Sequence, residues 1–146
     1  MSHFTKMTVL AKQENEQDLI GALKAHFGDG VEVYDQAKPL KLWNGGSAAG
    51  GAYGNVKDCH IIIRKDVQNK ASGRNAMTND AGYRRNEEGT YDVYSDPAGF
   101  PKNAHDAIMR DYSERVASRK MKAQGYSMKR KVMEDGRVQL SFSKYA

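Results

Sequence analysis

Cysteine is nearly absent from this chain. Cys59 stands alone among 146 residues, so no internal disulfide can form, which fits a reducing compartment. No apolar run approaches the ~18 residues that a membrane-spanning helix needs. Met1-Ser2-His3-Phe4-Thr5-Lys6 has no apolar stretch behind a charged start, so no secretory signal is expected and cytoplasmic residence is. Metal-ligand spacing is missing too. There is no Cys-x-x-Cys and no His-x-x-x-His, and Cys59, His60, His3, His26 and His105 are scattered. Adjacent Cys59 and His60 point to opposite faces of a strand and do not reach one ion. No metal and no cofactor is expected.

Nucleophile and phosphate signatures are equally thin. Cys59 sits in the most apolar stretch of the chain, which argues for a buried thiol rather than an activated thiolate. Gly45 to Gly54 lacks a Gly-Lys-Ser/Thr ending and leads into a strand, so it is not a phosphate loop. Glu87-Glu88, Asp92 and Asp96 are the carboxylates available for acid–base work, and nothing in the sequence sets two of them across a cleft. They read as a solvated turn and a strand-end cap. The expected role is therefore non-enzymatic.

What the chain does have is ordinary globular composition with a basic bias. Hydrophobic residues are 39% and charged residues 28%, and a chain of 146 residues is most simply one domain. At this size roughly 68–70% of the unfolded surface is buried on folding, enough for a core without staples. Lysine and arginine total 23 against 18 acids, a net charge of +5. That excess favours nucleic acid or an acidic protein surface as partner.

The periodicity gives an order of elements. Phe4 to Ala11 is β-prone. Leu19, Ile20, Leu23 and Phe27 fall at helical spacing, behind Asn15 and Asp18 as a capping pair and ahead of Gly28 and Gly30 as a stop. Val31 and Val33 begin a second strand. Pro39 to Trp43 alternates, and Asn44 to Gly54 follows with five glycines in eleven residues. This predicts a flexible loop over about 44–55 that leaves Trp43 exposed beside it. Cys59-His60-Ile61-Ile62-Ile63 reads as a central strand. Gln68 to Asp80 is polar and reads as a second mobile loop. Tyr83-Arg84-Arg85 and Thr90 to Tyr94 flank a turn, and Pro97, Gly99 and Pro101 break regular structure.

The C-terminal third carries the clearest signal. Asn103 to Gln124 reads as a long helix stopped by Gly125, and Tyr126 to Phe142 as a hairpin folded on Asp135-Gly136. Ile108, Tyr112, Val116, Met109 and Ala123 fall within one arc of about 100° that should lie on the sheet. Arg119 projects into that arc, either snorkelling or marking a binding edge. The assembled pattern is a single α+β domain over residues 1–146, an antiparallel sheet with two helices packed on it and a C-terminal helix-hairpin unit.

The same elements resemble a family of hypothetical proteins from red-algal plastids, cyanobacteria and phages. The likeness rests on Met1-Ser2-His3-Phe4, Gly82-Tyr83, Tyr91-Asp92-Val93 with Asp96, Ile108, Tyr112, Gln124-Gly125-Tyr126 and Asp135-Gly136. Its glycine-rich and polar stretches are longer here than is usual for that family. The family has no established reaction, cofactor or partner, so the resemblance implies an intracellular setting (host cytoplasm for a phage protein, stroma for a plastid one) and carries over no functional residue.

Charge density then selects the candidate site. From Arg110 to Lys131 there are eight basic residues and two acids in 22 positions. The candidate binding residues are Arg115, Arg119, Lys122, Lys129, Arg130 and Lys131, with Arg84 and Arg85 extending the patch. A phosphate backbone would be drawn to it by counterion release. The alternative is a protein–protein adaptor, or an inhibitor of the kind a phage encodes, docking on a larger host complex through Trp43 as an anchor.

Overall fold

The computed structural model describes residues 4–49 and 56–144. Strand β1 (Thr5–Val9) leads through a short 3-10 turn into helix α1 (Glu16–Phe27), followed by β2 (Glu32–Lys38), β3 (Cys59–Ile63) and helix α2 (Lys65–Ser72). Strands β4 (Ala81–Arg85) and β5 (Tyr91–Ser95), helix α3 (Lys102–Ala123) and strands β6 (Tyr126–Val132) and β7 (Val138–Lys144) complete the order. The sheet runs β1-β5-β4-β3-β2, and every neighbouring pair is antiparallel. The β6–β7 pair forms a separate two-stranded sheet. The α+β class is as the pattern predicts.

Helix α1 forms because its apolar residues share one stripe. Leu19, Ala22 and Leu23 are buried, and Gly28 ends the helix at φ +83°, a conformation that costs a residue with a Cβ. Helix α3 contributes buried Ile108 and Tyr112, with Met109 and Val116 packed at the margin. Both cover one face of the sheet, where Ile61, Ile63, Tyr83, Tyr91 and Val93 meet them. The other face is sealed by Leu40, Leu42, Ala48 and Val56 over Cys59, Ile62 and Tyr94. The segment after Pro39 is thus a lid on the second half of the core, with backbone hydrogen bonds from Leu42 to Gly46 and from Ala48 to Leu40.

Three expectations need correction. Residues 68–80 are not loop throughout: they begin with the end of α2 and include a buried polar knot of Gln68, Thr78, Asn79 and Asp80. These residues are buried because they satisfy backbone groups. Gln68 Nε2 donates to the carbonyls of Ile63 and Asn79, and Asp80 accepts from the amides of Lys41 and Lys65. Helix α2 is therefore a third helix among the described residues, beyond the two expected. Second, Asn15 makes no side-chain cap for α1. Its Oδ1 accepts instead from Arg119 of α3, at 2.7 Å. Third, Ala123 lies exposed, so the buried stripe of α3 stops short of its last turn. The glycine-rich loop is described only to Ala49; Gly50, Gly51, Tyr53 and Gly54 lie outside the described residues.

Candidate nucleic-acid interface

The basic cluster of the C-terminal third divides into two chemically different sets. Three of its arginines, Arg115, Arg119 and Arg130, are paired with acids. Arg119 donates to Asp18 of α1 from Nε at 3.0 Å and from Nη2 at 2.8 Å. Arg115 meets Asp111 at 3.0 Å, one turn away on the same helix. Arg130 of β6 meets Glu114 of α3 at 2.5 Å. Arg85 meets Glu16 of α1 at 2.5 Å, and Arg84 donates to the Asp58 carbonyl at 2.7 Å. Arg119, Arg130 and Arg85 thus brace one element against another, whereas Arg115 pairs within its own helix. The reason is packing. A guanidinium beside a half-covered surface is best satisfied by a nearby carboxylate held in fork geometry.

Glu16 shows the same logic from the acid side. Its carboxyl is held below the usual range, first by the hydrogen bond from Arg85 and then by one from the Tyr91 hydroxyl, against the opposing effect of burial. The crevice between α1 and α3, about 520 Å³, sets Asp18, Asp111 and Glu114 against Arg115, Arg119 and Lys122. Three acids balance three bases, and such a crevice has little field for a phosphate.

The lysines behave differently. Among the described residues, Lys122, Lys129 and Lys131 have no acid within ion-pair distance. Lys122 belongs to the balanced crevice, whereas Lys129 and Lys131 stand on β6. Strand geometry sorts that hairpin into two faces, because successive side chains alternate. Cross-strand partners are Tyr126 with Lys144, Met128 with Phe142, Arg130 with Leu140 and Val132 with Val138 on one face. Ser127 with Ser143, Lys129 with Ser141 and Lys131 with Gln139 make up the other.

The first face turns to α3. Met128 and Leu140 are half-buried and line crevices with residues of that helix, and Arg130 pairs with Glu114. The second face is polar and exposed at Lys129, Lys131, Gln139, Ser141 and Ser143. So the three consecutive basic residues do not act together: Arg130 points at the helix while Lys129 and Lys131 point away from it. Charge density alone missed Ser127, Gln139, Ser141 and Ser143 as partners of the lysines. Their signal was present, as a period-2 alternation of polar and apolar residues in both strands.

Cys59 is fully buried, and burial pushes its thiol up to about 12. His60 Nδ1 accepts the Arg85 amide at 3.1 Å. His105 is buried beside Ser95, with 3.2 Å between Nε2 and Oγ, and burial pushes its imidazole down to about 4. His3 lies outside the described residues. Among the described residues no group of three or more His, Cys, Asp or Glu is placed to hold a metal ion. Asp96 receives the amides of Ala98 and Asn79 and so serves as a strand-end cap. Trp43 is 39% exposed on a backbone pinned by Asn79 and Lys65.

No helix among the described residues is long and apolar enough to cross a membrane. No family model, curated protein or solved structure matches the chain.

Proposed function

We propose that the chain is a non-enzymatic nucleic-acid-binding module that meets its ligand through the outward face of the β6–β7 hairpin. One observation carries the reading: Lys129 and Lys131 share an exposed polar face with Gln139 and Ser141 and have no neutralising acid among the described residues, while Arg115, Arg119 and Arg130 are engaged in ion pairs. Unpaired ammonium groups keep their full attraction for phosphate and release counterions on binding. Serine and glutamine beside them add hydrogen-bonding groups for phosphate, sugar or base edges. A non-catalytic role is supported by the complete burial of the Cys59 thiol.

Fluorescence anisotropy with labelled nucleic acid tests the reading. Binding should weaken steeply between about 50 and 200 mM salt, and replacing both Lys129 and Lys131 by glutamate should reduce the salt slope by about 0.9 for each phosphate no longer neutralised. Failure to bind any nucleic acid at the lower salt, or binding indifferent to that double substitution, would remove the proposal.

A protein partner docking on Trp43 is the second reading, favoured by its exposed indole on a pinned backbone. Capture of a partner that survives nuclease treatment and is lost in Trp43→Ala would select it.

A further inference from the structure

We infer that the nucleic acid is duplex DNA, entered at its major groove by the β6–β7 hairpin. This rests on the nucleic-acid reading above and narrows it.

The aromatic rings are placed against single-strand binding. Proteins that hold single strands without sequence preference gain much of their affinity from bases stacked on aromatic side chains. The polar face of the hairpin has none: Ser127, Lys129, Lys131, Gln139, Ser141 and Ser143 are all flexible or small hydrogen-bonding residues. Tyr126 and Phe142 lie on the opposite face with Met128 and Leu140, turned to α3. An unstacked base would find no platform on this surface.

Shape favours duplex DNA as well. A two-stranded ribbon is about 4.8 Å between strand axes, and with side chains it fits a B-form major groove about 12 Å wide. The major groove of duplex RNA is deep and narrow and does not admit side chains in this way. Both strands run seven residues, about 24 Å of extended backbone. The polar face is exposed at Lys129, Lys131, Gln139, Ser141 and Ser143, so it is the face of the ribbon free to enter a groove.

The residues are also those the groove rewards. A lysine donates to guanine O6 and N7, glutamine can pair with adenine N6 and N7, and serine donates or accepts at either kind of base pair. Lys131 and Gln139 are direct cross-strand partners, as are Lys129 and Ser141, so each rung of the ribbon offers a cation beside a neutral hydrogen-bonding group. A surface meant only for phosphate would need no such pairing.

The test compares three labelled probes of one sequence with the whole chain: duplex DNA of about two helical turns, its single strand, and the corresponding duplex RNA. Duplex DNA should bind about tenfold tighter or better than either of the others. Glucosylated hydroxymethylcytosine, which fills the major groove, should weaken duplex binding by a similar factor, and a minor-groove drug such as netropsin should leave it unchanged. Equal or tighter binding of the single strand, or indifference to major-groove glucosylation, would overturn this inference and leave the broader reading standing. Absence of binding to all three probes would overturn both.

Discussion

Arg119 of α3 and Asp18 of α1 form a two-point contact, Nε and Nη2 reaching one carboxylate oxygen at 3.0 and 2.8 Å, and Nη2 also reaches Asn15 Oδ1 at 2.7 Å. The pair closes the helix layer over the sheet. Asp18 is 7% exposed, so its charge depends on this guanidinium for compensation. Arg119 therefore works in the scaffold. Asp18→Ala should lower the thermal midpoint by roughly 3–6 °C, read by circular dichroism. Arg119→Ala should leave nucleic-acid affinity within about twofold of the parent, because a brace contributes little to the binding face. A large affinity loss in a folded Arg119→Ala protein would return this arginine to the interface.

Glu114 and Arg130 tie the hairpin to α3 at 2.5 Å, with the arginine side chain 48% exposed. A pair this wet contributes little to global stability, about 0.2–1 kcal/mol. Its local effect should be larger, since β6 and β7 form a two-stranded sheet of their own among the described residues. Glu114→Ala should speed amide exchange in β6 and β7 while leaving β3 and β4 protected. Uniform acceleration across both sheets would contradict a local role.

Gly82 sits on β4 where the lid half of the core is tightest. A Cβ there would lie 2.6 Å from Cys59 Cβ and Sγ and 2.8 Å from Leu40 Cδ2. Gly82→Ala should destabilise the protein by about 1–3 kcal/mol through overpacking. Removing the opposing sulfur should relieve part of it, so Gly82→Ala with Cys59→Ala should cost less than the two single changes summed. Strict additivity in urea denaturation would show that the strain is taken up elsewhere.

His105 sets an acid limit on stability. Burial against Phe100 and Ser95 holds it neutral, with its pKa lowered from an ordinary 6.5 to about 4. The unfolded chain takes up a proton near 6.5 that the folded chain refuses until about 4. Stability is then fully present above the upper value and falls as the pH drops through that window. His60, also lowered by burial and by the neighbouring arginines, acts in the same direction. His105→Gln should flatten the dependence by up to about 1.4 kcal/mol per pH unit, measured by denaturation between pH 7 and 4. An unchanged slope would mean that His105 is not the responsible group.

Much of the fold was legible in the linear chain, because hydrophobic period and stop residues act locally. Leu19, Leu23 and Phe27 at helical spacing ahead of Gly28 set α1, and Asp135-Gly136 between two alternating runs set the final hairpin. The cluster of positive charge from Arg110 to Lys131 was also plain. Residues 68–80 were misread from sequence, since polar composition resembles a solvated loop unless one knows which backbone groups Gln68 and Asp80 will satisfy. What only the tertiary structure decided is the fate of each charge. Asp18 and Arg119 stand about a hundred positions apart in the chain and touch because α1 and α3 lie side by side on one sheet face. Such long-range ion pairs leave no periodic trace in a sequence. The pair withdraws Arg119 into the scaffold, while strand alternation leaves Lys129 and Lys131 on the outer face of the ribbon.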